Sequence, residues 1–324
     1  MKLTRLIFAL FLLLPVASWA AGAPPQAVEA TLTLASDSVL PGVPFDMIVT
    51  TKNVSRSSVS VGISARLIVT LADGAKVSPK ERHTLDPQTS GLPETWVELA
   101  PGESRQWTVD WDDFTPSMFH YPEFSGPGVY EVALELGAAA WKAPEDYVGT
   151  IVTGAAHLAR VVSPGEDDAL WKKMVAATGG RWADDSLSNS LEGRRILREI
   201  LQIHPASGYY PYALLLEPQF DHRPVTKDDI ARALDAAERF RESPAYPHLL
   251  LRAGDVAANI ASHAWWDHDS KTTLEYFAIA EKYYDDALKR APSVAIRASA
   301  ERGRQFAHDE IERERLRTHG ASKN

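Results

Sequence analysis

Between residues 28 and 162, apolar and polar positions alternate along several short stretches of the chain. In the first stretch, Val28, Ala30 and Leu32 alternate with Glu29 and Thr31. A period of two places the apolar side chains on one face of a β-strand. Further strands are predicted at residues 45–51, 59–71, 94–99, 106–111, 128–136 and 147–162. About seven short strands with turns between them are typical of an antiparallel β-sandwich. We place it at residues 26–163.

After Ser163-Pro164-Gly165 the apolar positions recur every three or four residues, which is the period of an α-helix. The clearest helix is predicted at residues 272–292, where Phe277, Ala280, Tyr284 and Ala287 share one face. Other helices are predicted at residues 166–178, 187–203, 226–242, 247–264 and from residue 293 onward. The chain is therefore predicted to be an α+β multidomain protein, with an all-α domain at residues 164–324.

The first 23 residues have the pattern of a cleaved signal peptide. Lys2 and Arg5 precede an apolar run at residues 6–14, and small residues follow at two candidate cleavage sites. The alternative is an uncleaved N-terminal anchor. A cleaved signal predicts a periplasmic or secreted protein, with no membrane span after cleavage.

The chain contains no cysteine, which excludes disulfides, thiolate metal sites, a cysteine nucleophile and a lipid anchor through a lipobox. A chain of 324 residues is long enough to build its own hydrophobic core without disulfides. The formal net charge is −9, which argues against general nucleic-acid binding.

The N-terminal part resembles immunoglobulin-like sandwich domains of bacterial envelope proteins. The resemblance rests on the run 41–45 before a strand that ends at Asn53, on the turn 101–103, and on the run 128–132. Within the last run, Tyr130 occupies the place of the tyrosine-corner residue of such domains. The same pattern of strands and turns is similar to small bacterial proteinase inhibitors.

The C-terminal part resembles tetratricopeptide proteins. The spacing of Ala280, Tyr284, Ala287 and Pro292 is similar to the second helix of such a repeat. Pro205, Ser207, Tyr209 and Ala213 resemble the turn between helix pairs in envelope proteins of that family. The resemblance implies stacked helix pairs with a concave binding face, and the alternative is an ordinary amphipathic helix in an α-domain.

Aromatic side chains are concentrated between residues 111 and 126, where no regular period is present. They provide candidate contacts with a partner protein, because aromatic groups offer a large contact area at low entropic cost. The alternative is a loop folded over the protein's own core. With two tyrosines from the helical part, the candidate partner-binding residues are Trp111, Phe114, Phe119, Tyr121, Phe124, Tyr209 and Tyr276.

The candidate metal ligands are His263, Asp267 and His268, because His263 and Asp267 are four residues apart and can share a helix face. The alternative is a polar helix end with Trp265 and Trp266 packed between helices. A nucleophile elbow and a phosphate-binding glycine loop are both missing from the sequence, and no cofactor is predicted.

These observations favour a secreted, periplasmic, non-catalytic scaffold or adaptor. It would hold a segment of a protein partner against its helix faces, with residues 111–126 as a second contact. Two alternatives remain open: a protease inhibitor that acts through a sandwich loop, and a metal-dependent hydrolase.

Overall fold

A computed structural model describes residues 27–43, 45–77, 83–84, 96–109, 126–137, 145–178, 187, 190–220, 223–290 and 294–321. The protein is a mixed α+β structure, with its sheets in the N-terminal part and its helices in the C-terminal part. The described residues contain no helix that is both long and apolar enough to cross a bilayer.

The described N-terminal residues form twelve strands in three sheets. The strands are β1 (Val28–Leu34), β2 (Ser38–Val39), β3 (Met47–Asn53), β4 (Val59–Gly62), β5 (Ser64–Thr70), β6 (Lys76–Val77), β7 (His83–Thr84), β8 (Trp96–Leu99), β9 (Ser104–Val109), β10 (Gly128–Gly137), β11 (Ile151–Val152) and β12 (Ala156–Arg160). One sheet has the order β1-β3-β9 and a larger one the order β2-β12-β10-β5-β6, with β11 beside β10 and β7 beside β5. Strands β4 and β8 form a separate pair. The pairings are antiparallel except that of β2 with β12.

The predicted alternation along β1 is confirmed, because Val28 and Leu32 are buried while Glu29 and Thr31 are exposed. The partner strand β3 ends at Asn53, whose side chain is fully buried. Its amide Nδ2 donates to the carbonyl of Leu99 at 2.9 Å and to that of Ser57 at 2.8 Å. A buried amide that satisfies two carbonyls fixes the end of β3 against the turn that follows it.

The described C-terminal residues form seven helices. They are α1 (Glu166–Thr178), α2 (Leu191–Ile203), α3 (Tyr210–Phe220), α4 (Lys227–Arg239), α5 (Tyr246–Trp266), α6 (Ser270–Arg290) and α7 (Val294–Ala321). The buried face predicted for α6 is confirmed, since Phe277, Ala280, Tyr284 and Ala287 are all buried. The backbone N–H of Thr272 donates to the side chain of Asp269 at 3.1 Å, which caps the start of α6 as predicted.

Helix α3 is missing from the sequence-based predictions. Its sequence, YPYALLLEPQF, has prolines near both ends and apolar residues on every side, so it lacks a helical period. Pro211 is tolerated because the N–H groups of the first helical turn have no intrahelical acceptor. The apolar residues on every side of α3 are explained by its burial, since Tyr212, Ala213, Leu214 and Leu216 are all buried.

Helices α2 and α4 recur with the same length and a constant offset. Each has 13 residues, and Leu191 and Lys227 are 36 positions apart. The same offset relates their C-terminal caps, His204 and Phe240. It also relates the first residues of the helices that follow, Tyr210 and Tyr246. The chain thus builds one helix–turn–helix unit twice in succession.

Helices α5, α6 and α7 pack around the ring of Tyr284. A Cβ atom added to Gly254 would lie 2.7 Å from this ring, and one added to Gly303 would lie 2.5 Å from it. Two glycines on neighbouring helices therefore leave the space that the ring fills. The ring's hydroxyl donates to Asp255 at 2.8 Å.

The sheets and the helices share one hydrophobic core. The turn between β2 and β3 lies at their boundary. On the sheet side it is held by buried Arg160 of β12, which donates to the carbonyls of Leu40 at 3.1 Å and Val43 at 2.9 Å. Burial lowers the pKa of Arg160 to about 10, so the guanidinium remains charged at neutral pH. From the helical side, Trp171 packs on Gly42, where an added Cβ would lie 2.7 Å from the indole.

Candidate functional site

In the turn between α2 and α3, residues 204–210, Ser207, Tyr209 and Tyr210 are buried by other parts of the protein. The hydroxyl of Ser207 donates to Oδ1 of Asp167 at 2.6 Å, and the N–H of Gly208 donates to the same carboxylate oxygen at 3.2 Å. The hydroxyl of Tyr209 donates to the carbonyl of Pro41 at 3.1 Å. Residues 204–210, named the first turn, are thereby held by α1 and by the turn between β2 and β3.

The turn between α4 and α5, residues 240–246, has the same backbone pattern and is named the second turn. The N–H of Ser243 donates to the carbonyl of Phe240 at 2.9 Å, as the N–H of Ser207 donates to that of His204 at 3.1 Å. The hydroxyl of each serine accepts the N–H two residues later, at 3.2 Å from Ala245 and 3.1 Å from Tyr209. The two turns are therefore copies of one local structure.

The second turn borders two cavities, one of which is also lined by Gly208 of the first turn. A cavity of about 330 Å³ lies between it and β2, and another of about 260 Å³ lies between it and the end of β1. Ser243 and Pro244 line both cavities, so the two adjoin. Together they form what we call the cleft. Its other lining residues are Ala35, Ser36, Ser38, Val39, Leu40, Val161, Gly208, Tyr212, Phe240, Arg241, Glu242, Tyr246, Pro247 and Arg290.

The cleft combines neutral hydrogen-bonding groups with two cations and one acid, Glu242. Burial raises the pKa of Tyr212 to about 12, so its hydroxyl stays neutral, and it is hydrogen-bonded to the side chain of Ser243. Arg241 and Arg290 line the smaller cavity and are exposed. Such a surface can donate hydrogen bonds to a ligand and attract an anionic group.

A polar pair of one buried and one partly buried residue lies next to Pro247 of this cleft. Nε2 of His248, in the first turns of α5, is 3.4 Å from Oδ2 of Asp46, and Asp46 is only 3 % exposed. Oδ1 of Asp46 has no hydrogen-bond partner among the described residues. The pair connects the residues that precede β3 to α5 and so contributes to the joint between sheet and helices.

The structure places the predicted partner-contact residues in three different situations. Trp111, Phe114, Phe119, Tyr121 and Phe124 lie outside the described residues. The side chain of Tyr276 is half-buried and packs against the core.

Tyr209 requires a correction, because its exposed fraction is 0 % and its hydroxyl is bonded to Pro41. A side chain enclosed in this way has no surface to offer a partner. The sequence places an aromatic residue in a turn correctly, but the β2–β3 turn that covers it is distant in sequence.

The predicted metal ligands lie at the corner between α5 and α6. His263, Asp267 and His268 are all exposed there. Across the part of the chain that the structure describes, no group of three or more His, Asp or Glu side chains is arranged to hold a metal ion. Trp265 at this corner is half-buried, whereas Trp266 is 72 % exposed and so is not packed between helices.

Sequence reasoning missed the residues around the second turn, Ser243 and Arg290 above all. A signal for the turn is present in the sequence, since Ser207, Tyr210 and Pro211 recur as Ser243, Tyr246 and Pro247 at the same offset of 36 residues. A search for internal repeats finds such a recurrence. The signal does not show which copy is covered, because that depends on the distant residues 35–43.

No family model matches the chain, and no curated protein is similar to it. Among solved structures, the CARDB domain of the PF1109 protein from Pyrococcus furiosus is 14% identical, with a TM-score of 0.23 over 42% of this chain and 94% of that one. The sporulation control protein Spo0M from Bacillus subtilis is 14% identical, with a TM-score of 0.27 over 47% of this chain and 54% of that one. Likenesses of this size carry no argument about fold family or function.

Proposed function

We propose that the protein is a secreted, periplasmic, non-catalytic scaffold or adaptor that holds a segment of a partner protein in the cleft. The observation that carries this proposal is the contrast between the two turns. The same local structure is enclosed at Ser207 and open at Ser243, beside cavities of about 260 and 330 Å³. Concave sites where two structural parts meet are common places for ligands.

The proposal includes a finer description of the fold. An immunoglobulin-like sandwich is supported by Tyr130, whose hydroxyl donates to the carbonyl of Gly126 at 2.9 Å, as a tyrosine-corner residue does. A tetratricopeptide-like stack is supported by the helix pairs that recur every 36 residues, near the 34-residue period of that family. In such stacks each unit buries its face against the next and leaves one surface for binding.

Export is part of the same proposal. It rests on the signal-like pattern of the first 23 residues and on the absence of cysteine. Removal of the signal would leave the chain free in the periplasm or outside the cell. N-terminal sequencing of the protein purified from the envelope fraction locates the cleavage site, and an N-terminus at Met1 would contradict this part.

Capture of a partner from crosslinked periplasm tests the binding function. The bait is the full mature chain, because the shared core argues against testing either part alone. The matched variant is Ser38→Trp, which fills the larger cavity from an exposed strand position. The control is Thr33→Trp, an exposed β1 residue that does not line the cleft.

We expect one protein to be crosslinked by the unmodified chain and by Thr33→Trp but not by Ser38→Trp. The proposal fails if only background proteins are captured, or if Ser38→Trp captures the same partner as the unmodified chain.

A further inference from the structure

An arginine from the following helix pair contacts and hydrogen-bonds the first turn. Arg239 is the last residue of α4, and its guanidinium lies 4.8 Å from the ring centroid of Tyr210. From there Nη1 donates to the carbonyl of Pro205 at 2.6 Å. Arg239 also pairs with Asp235 at 2.9 Å. The guanidinium therefore has both a stacking partner and oxygen acceptors within the protein.

Arg290 occupies the corresponding place at the second turn. It is the last residue of α6, the first helix of the next pair, and its guanidinium lies 5.9 Å from the ring centroid of Tyr246. The counterpart of Pro205 is Arg241, yet among the described residues the guanidinium of Arg290 is not hydrogen-bonded to that carbonyl. Among the described residues, Arg290 has no hydrogen-bonded or ion-paired oxygen, and it faces the cavity of about 260 Å³.

We propose that this cavity binds a carboxylate of the partner protein, with Arg290 donating to it as Arg239 donates to the Pro205 carbonyl. The inference rests on the proposed protein-binding function and names the group that is recognised. A carboxylate fits because its two oxygens match the paired N–H groups of a guanidinium. A cation–π contact with Tyr246 favours this position of the guanidinium, which lowers the entropy lost on binding.

The charges around the cavity allow an anion to enter. Arg241 supplies a second guanidinium, which pairs with Glu238 through Nε at 3.0 Å. Glu242 also lines the cavity and opposes an anion. It is exposed, so its repulsion is screened by water and salt. A bound carboxylate would therefore meet two guanidinium groups and one exposed acid.

Synthetic peptides test the inference without knowledge of the partner. A pool of random heptapeptides, without Asp and Glu, is prepared in two forms, with free and with amidated C-termini. A second amidated pool contains Asp and Glu inside the sequence. Each pool is passed over the immobilised mature chain, and retained peptides are quantified by mass spectrometry. The variant is Arg290→Gln, and the control is Arg302→Gln, an exposed arginine on α7 with the same change of charge.

We expect one carboxylate-containing pool to be retained about tenfold more than the amidated pool that lacks acids, because charged hydrogen bonds exceed neutral ones by about that factor. Preference for free C-termini identifies a chain end, and preference for internal acids identifies a side chain. Arg290→Gln should remove the preference, and Arg302→Gln should keep it. Equal retention of all three pools, or an unchanged preference in Arg290→Gln, overturns the inference.

The periplasmic capture separates this inference from the function on which it rests. If the unmodified chain and Arg290→Gln capture the same partner equally, the binding function stands and the carboxylate inference is wrong. If Arg290→Gln alone loses the partner, both are supported. If the unmodified chain captures no partner, the binding function fails, and the peptide pools then decide the carboxylate inference independently.

Discussion

The two copies of the helix–turn–helix unit have the same backbone but different surroundings. At the first turn, Ser207 is 2 % exposed and its hydroxyl bonds Asp167 of α1. At the second turn, Ser243 lines two cavities. The difference arises outside both units: Asp167 and the carbonyl of Pro41 accept hydrogen bonds from the first turn, whereas Leu40 lines a cavity beside the second. One copy thus makes buried hydrogen bonds to distant parts of the protein, and its duplicate lines two cavities.

The comparison separates the structural role of the first turn from the binding role that we propose for the second. Substitutions in the first turn should lower the free energy of unfolding, because its buried hydrogen bonds connect segments that are distant in sequence. The second turn satisfies its own backbone locally, through the hydroxyl of Ser243 and the carbonyl of Phe240. Its outward side chains can therefore change with little cost to folding, which is a property expected of a binding site.

The largest effect is expected from Arg160→Met, which removes the support beneath the first turn. The variant leaves the carbonyls of Leu40 and Val43 buried without this donor. We expect a loss of about 3 kcal/mol in the free energy of unfolding, measured by urea denaturation. The exposed Arg105→Met is the control. A loss equal to that of the control would show that the first turn does not depend on this joint.

Parallel serine substitutions compare the copies directly. Ser207→Ala removes a hydroxyl that serves both Asp167 and the N–H of Tyr209. It should cost about 2 kcal/mol, because charged and buried hydrogen bonds are lost together. Ser243→Ala should cost about 1 kcal/mol, since it loses only uncharged hydrogen bonds, those with the N–H of Ala245 and the hydroxyl of Tyr212. The same urea titrations measure both, and equal costs would contradict the difference between the turns.

The copies also differ at the third position of their first helices, where Gly193 corresponds to Asp229. Burial alone would raise the pKa of Asp229, but hydrogen bonds from Arg223 and Thr226 outweigh it and lower the pKa to about 2. A pKa that is lowered by folding stabilises the fold at pH values above about 4, which is the pKa of an aspartate in the unfolded chain. This contribution is lost as the pH falls toward about 2.

We therefore expect Asp229→Asn to lose about 2 kcal/mol at pH 7. The difference from the unmodified chain should shrink between about pH 4 and pH 2. Urea titrations across this range measure it. The neighbouring exposed Asp228→Asn is the control and should show little change. A difference that persists undiminished at about pH 2 would exclude this electrostatic explanation.

The smallest effect on stability is expected at Arg290, whose counterpart at the first turn is Arg239. Arg239→Gln should cost about 1 kcal/mol, because the guanidinium bonds the carbonyl of Pro205. Arg290→Gln should cost almost nothing, because its role is proposed to lie in ligand binding. Thermal unfolding of the two variants, compared with the unmodified chain, measures the contrast. A larger loss in Arg290→Gln would mean that its guanidinium serves the fold itself.

The sequence predicts a strand or a helix well when only one face of that element is buried. The period of β1 and the apolar face of α6 agree with the structure because each packs one face on a core. Helix α3 is not predicted, because it is buried on several sides and its apolar positions therefore show no helical period. The cleft is not predicted either, since β1, β2 and the second turn meet only after folding, about 200 residues apart in the chain.

Thiol labelling of single-cysteine variants tests most directly whether one turn is closed and the other open. The chain has no cysteine, so Ser207→Cys and Ser243→Cys each introduce one thiol at matched positions. The rate of reaction with a maleimide is measured for each variant under native conditions, with full labelling in urea as the reference. We predict that the thiol at 243 reacts at least about tenfold faster than the thiol at 207. Equal rates, or faster labelling at 207, would contradict the assignment of the first turn to structure and the second to binding.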